Sequence, residues 1–69
     1  MVEVFKTNVK RQAQAKSLIA LLRQYFPHSQ INFDLDDCDK ILRIQGDGFC
    51  PLKIAQLVND KGFECCPLE

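Results

Sequence analysis

Gln30-Ile31-Asn32-Phe33-Asp34-Leu35-Asp36-Asp37-Cys38-Asp39-Lys40-Ile41-Leu42-Arg43-Ile44-Gln45 is the most regular stretch of the chain. Ile31, Phe33 and Leu35 alternate with Asn32, Asp34 and Asp36, the period-two pattern of a strand with one buried face. A 3.6-residue period would scatter these apolar side chains around a helix. Asp37-Cys38-Asp39 reads as a turn. Ile41 to Gln45 reads as the return strand, with Leu42 and Ile44 facing the same core. Residues 30–45 are therefore predicted to form a β-hairpin.

Upstream, Ala15, Leu18, Ile19, Leu22 and Phe26 recur at helical spacing from about Gln12, and Pro27 ends the pattern because it pushes its predecessor out of the helical region. Val2 to Thr7 is β-branched and aromatic and reads as a first strand, joined to the helix by a polar connection over residues 8–11. Downstream, Gly46-Asp47-Gly48 breaks the return strand. Pro51 opens a second helix whose buried stripe is Ile54, Leu57 and Val58, with Ala55 beside them. Gly62 supplies the left-handed position after it. Phe63 to Pro67 reads as a short edge strand, since Pro67 has no N–H to give a ladder. The order strand, helix, strand, strand, helix, strand predicts one α+β domain over residues 1–69: a ferredoxin-like βαββαβ fold with two helices on one face of a four-stranded antiparallel sheet.

Composition narrows the function. The chain has 69 residues, 46% of them apolar and 26% charged, enough for one small core. Nine basic and nine acidic side chains cancel, which argues against a nucleic-acid partner. No run of about 18 apolar residues suggests a membrane span. The opening residues lack a signal-peptide pattern, so the expected location is cytoplasmic. The zero net charge hides a split. Residues 1–28 carry Lys6, Lys10, Arg11, Lys16 and Arg23 against Glu3, a balance of +4, and residues 29–69 carry −4.

Several strings, in order, resemble the heavy-metal-associated domain, the family of small copper chaperones and of the metal-binding domains of metal-transporting P-type ATPases. They are Phe5-Lys6-Thr7-Asn8-Val9-Lys10, Asp39-Lys40-Ile41-Leu42 and Gly62-Phe63. The resemblance covers essentially the whole chain. It implies a Cys-x-x-Cys pair in the loop before the first helix, where two thiolates converge on a soft metal. This sequence departs from that pattern. Anchored on the first strand, the two positions are Arg11 and Gln14; anchored on Pro27, they are Gln12 and Ala15. Neither pair offers a thiol, and Arg cannot ligate a metal at neutral pH. No metal site is expected at this loop, and no cofactor. A helix N-terminus with free N–H groups could instead accept an anion there.

The thiols present are Cys38, Cys50, Cys65 and Cys66. Their spacing fits no zinc pattern. Cys65 and Cys66 are the fallback metal ligands, although neighbours on a strand point to opposite faces. Cys50 precedes a helix start, where a thiol is most easily activated, and is the candidate reactive cysteine. Asp34-x-Asp36-x-Cys38 begins like a calcium loop but has Asp39 in place of the required glycine and Gln45 in place of the glutamate. His28 reads as a solvated loop residue. No catalytic motif is evident. The expected role is thus a non-catalytic cytoplasmic binding or interaction module with an unknown protein partner or self-association. The alternative is Cu or Zn binding through Cys65 and Cys66. The basic first loop and the acidic hairpin tip are expected at the same end of the sheet.

Overall fold

The first strand, β1 (Val2–Thr7), becomes an interior strand because the chain supplies it with partners on both sides. A computed structural model, which describes residues 1–68, gives the order β1, α1 (Gln12–Tyr25), β2 (Gln30–Asp34), β3 (Ile41–Gln45), α2 (Pro51–Asp60) and β4 (Cys65–Pro67). The sheet order is β2-β3-β1-β4 and every pairing is antiparallel. This is the predicted ferredoxin-like α+β architecture.

The hairpin register sets Ile31 opposite Ile44 and Phe33 opposite Leu42, and Leu42 lies opposite Phe5. All five belong to or pack against one core. Phe5, Leu42 and Ile44 are fully buried, each worth roughly 1.5–3 kcal/mol in transfer free energy. α1 adds Ala15, Leu18 and Leu22, and α2 adds Ile54, Ala55, Leu57 and Val58. α1 packs over β2 and α2 over β4. The other face of the sheet carries Val2, Val4, Lys6, Arg43, Asn32 and Cys66, alternate residues of strands whose partners face the core.

Both helix ends follow the local chemistry. The Phe26 N–H bonds the Leu22 carbonyl at 2.8 Å before Pro27 stops the helix. Pro51 stands in the first turn of α2, and Gly62, at φ +93°, follows its end.

Two expectations need correction, and one core residue lies where no pattern pointed. Residues 8–11 are not simply a polar connection, because Val9 is fully buried. Phe49, just before α2, is a second core residue outside any regular element. The last strand spans Cys65–Pro67 rather than 63–67. The groups of residues 63 and 64 find partners elsewhere: the Phe63 N–H bonds Val58, its carbonyl accepts from Asn59 Nδ2, and the Glu64 N–H bonds Asn8 Oδ1.

Leu42→Ala should lower unfolding free energy by about 2–5 kcal/mol. Leu52→Ala, at a position 74% exposed, should change it by no more than about 0.5 kcal/mol. Urea denaturation of both variants checks the pair.

Candidate functional site

The β1–α1 loop, the hairpin tip and the entry to β4 converge at one end of the sheet. The Thr7 N–H bonds the Asp39 carbonyl at 3.1 Å, and the Asn8 side chain accepts from the Glu64 N–H at 2.8 Å. Lys6 Nζ lies 3.7 Å from Asp39 Oδ1. This ion pair is solvated on both sides, so its contribution is at most about 1 kcal/mol. The basic and acidic segments thus meet at this end.

Thr7 organises the junction. It is buried, its hydroxyl donates to the Lys40 carbonyl, and its oxygen accepts the Val9 N–H. The first bond fixes the return of the hairpin; the second turns Val9 into the core.

Arg11 is the N-cap of α1. Gln14, three residues on, reaches back, and its Oε1 accepts the N–H groups of Arg11 and Lys10 at 3.2 and 3.4 Å. This is the glutamine half of a capping box. The amide oxygen takes the N–H groups of the loop and of the cap residue, ahead of the first helical turn. Ala15 is buried in the core, and Gln12 opens the helix exposed. In either register, then, the positions expected to hold thiols offer one engaged amide, one exposed glutamine, a guanidinium and a methyl group. These residues do not fit a soft metal.

The hairpin tip is ordered by its own groups. Asp37 Oδ1 accepts the Asp39 N–H at 2.8 Å, and the Asp37 carbonyl accepts the Lys40 N–H at 3.0 Å. Lys40 sits in the left-handed region at φ 49°, with Nζ donating to the Leu35 carbonyl at 2.8 Å. Among the described residues, one group of metal-ligating side chains converges: Asp37, Cys38 and Asp39 each place a donor atom within 4.8 Å of the others. The spacing Asp34-x-Asp36-x-Cys38 is not what the fold gathers, because Asp34 belongs to β2 while the turn turns Asp37 and Asp39 towards Cys38. The sequence signal for this turn was Asp37, whose side chain can accept the N–H two residues on as in an Asx turn.

The remaining thiols are dispersed. Cys65 pairs with Thr7 and is buried; Cys66 pairs with Lys6 and is exposed. Burial pushes the Cys65 thiol up from 9.0 to about 12, with the neighbouring Cys66 adding to the rise. Cys66 shares a cleft of about 260 Å³ with Lys6, Thr7 and Glu64. Cys50 is the exposed N-cap residue of α2, with no side-chain cap bond, and follows the other end of β3. His28 is exposed in the α1–β2 turn. A wider, open groove of about 680 Å³ runs between Gln14, Ser17, Leu21 and Gln24 of α1 and Lys61 and Phe63. No helix is long and apolar enough to cross a membrane.

No protein-family model matches the chain, and no curated protein or solved structure is detectably similar to it.

Thr7→Val should cost about 1–3 kcal/mol, because it leaves the Val9 N–H and Lys40 carbonyl without their partner; Thr7→Ser should restore most of it in urea melts. The Cys65 shift adds a pH signature. Folding favours its neutral form, so the contribution is intact below pH 9.0 and is lost as pH rises towards about 12. Urea midpoints should fall between pH 9 and 11 more steeply for the native chain than for Cys65→Ala.

Proposed function

We propose that this chain is a non-catalytic cytoplasmic binding module, built like a heavy-metal-associated domain, whose first loop no longer serves a metal. One observation carries the reading: Gln14 closes the start of α1 by taking the Arg11 and Lys10 N–H groups. The contact surface on this reading is the convergent end of the sheet, where Lys6, Asp39, Glu64 and Cys66 stand beside one another. The partner is a protein of mixed charge rather than nucleic acid or membrane. The balance of nine basic against nine acidic side chains supports that choice.

A second reading, metal binding through unconventional donors, draws support from the converging Asp37, Cys38 and Asp39. One thiolate and two carboxylates suit a borderline ion such as Zn(II). Cys65 and Cys66 are the less suitable pair, since one sulfur lies in the core and the other on the open face.

Native mass spectrometry of reduced protein with micromolar Cu(I) or Zn(II) separates these readings. The interaction module should retain no stoichiometric metal. A 1:1 complex that Cys38→Ser abolishes would overturn it in favour of the hairpin tip. A complex lost only in the Cys65→Ser, Cys66→Ser double variant would assign the metal to β4.

A further inference from the structure

We infer that two copies of this chain associate edge to edge through β2, antiparallel and centred on Asn32, joining two sheets into one of eight strands. The inference stands apart from the reading of the convergent end.

The two edges of the sheet are unlike. β4 has three residues, one of them Pro67, and cannot template a ladder. β2 has five residues with no proline, glycine, lysine or inward-facing charge. Among the described residues, no backbone group of Gln30–Asp34 hydrogen-bonds outside the ladder with β3. Its outer row of N–H and C=O groups is therefore open to a further strand.

The sequence of β2 is complementary to itself. An antiparallel two-fold through Asn32 sets Gln30 against Asp34 of the second copy, Ile31 against Phe33, and Asn32 against Asn32. Ile31 and Phe33 extend the core face, and the three polar residues share the open face. This register pairs all five residues; centring on Ile31 or Phe33 pairs only three residues of each strand, and a slip by one residue would oppose apolar to polar side chains.

The flank beside the edge fits the same axis. The groove identifies the side of α1 that faces Phe63, with Gln14, Leu21 and Gln24. Ile19 and Phe26 lie on the opposite side of the helix, over β2, where they are only partly buried, as are Phe33 and Leu35. A second copy would cover this apolar margin. The axis also brings each acidic tip, with Asp36 and Asp37, alongside the other copy's residues 28–29. Arg23, in the last turn of α1, stands at that end, opposite in sign to the aspartates.

The test combines sedimentation and cross-linking. The native chain should show a reversible monomer–dimer equilibrium between about 10 µM and 1 mM, the range of a small interface. Gln30→Lys should tighten it and Gln30→Glu weaken it, each by about two- to fivefold, through the opposed Asp34. Cysteines are then introduced with Cys38, Cys50 and Cys66 changed to Ser. Asn32→Cys should cross-link to itself at least tenfold faster than Gln30→Cys or Asp34→Cys alone, and the last two should cross-link rapidly only when mixed. Circular dichroism checks that each variant is folded. A native chain that stays monomeric over this range overturns the inference. So does cross-linking that is equal at the three positions, which would instead indicate pairing through another surface.

Discussion

The Thr7 hydroxyl is the only buried polar side chain among the described residues, and the shape of the molecule's convergent end depends on it. A buried hydroxyl must find partners or cost free energy. Thr7 finds one on each side: the Lys40 carbonyl beyond the hairpin tip and the Val9 N–H in the following loop. Two segments far apart in sequence are thereby fixed to the same atom. Val9 goes into the core because its backbone is held there. Lys40 keeps a left-handed conformation, which an unbranched non-glycine residue adopts at a cost, because its N–H, carbonyl and ammonium are all engaged.

The periodic elements were legible in the sequence because burial imposes a period. Ile31 with Phe33 and Leu18 with Leu22 announce a strand and a helix before any contact is known. Val9 and Phe49 were not legible, since a single apolar residue in a loop has no period to stand out from. The shortening of β4 was hidden for a related reason. Its entry is satisfied by the side chains of Asn8 and Asn59, which lie distant in sequence or outside the strand. The split fate of Cys65 and Cys66 could be read from strand alternation alone. The role of Gln14 could also have been read: a glutamine three residues after a loop residue at a helix start is half of a capping box, even with arginine in place of serine.

Charge follows topology here. A basic segment over residues 1–28 and an acidic remainder would pull a disordered chain into many compact forms. In the fold they meet at a defined place, through the Lys6–Asp39 pair and the backbone bond from Thr7 to Asp39. The pair contributes little to stability. Its effect is on the surface: it leaves that end of the sheet carrying both signs of charge within a few residues, a pattern that selects against partners of uniform charge.

The Gln14 contact also bears on how this loop could be altered. Two thiols at Arg11 and Gln14 would not simply be added to a neutral loop. Replacing Gln14 removes the acceptor of two N–H groups and weakens the helix before a second thiol makes any metal bond. A lone thiol at Arg11 would give a soft metal a single ligand. A single substitution here therefore either costs helix stability or leaves one thiol without a mate, so only a concerted change of both positions would give a soft metal two ligands.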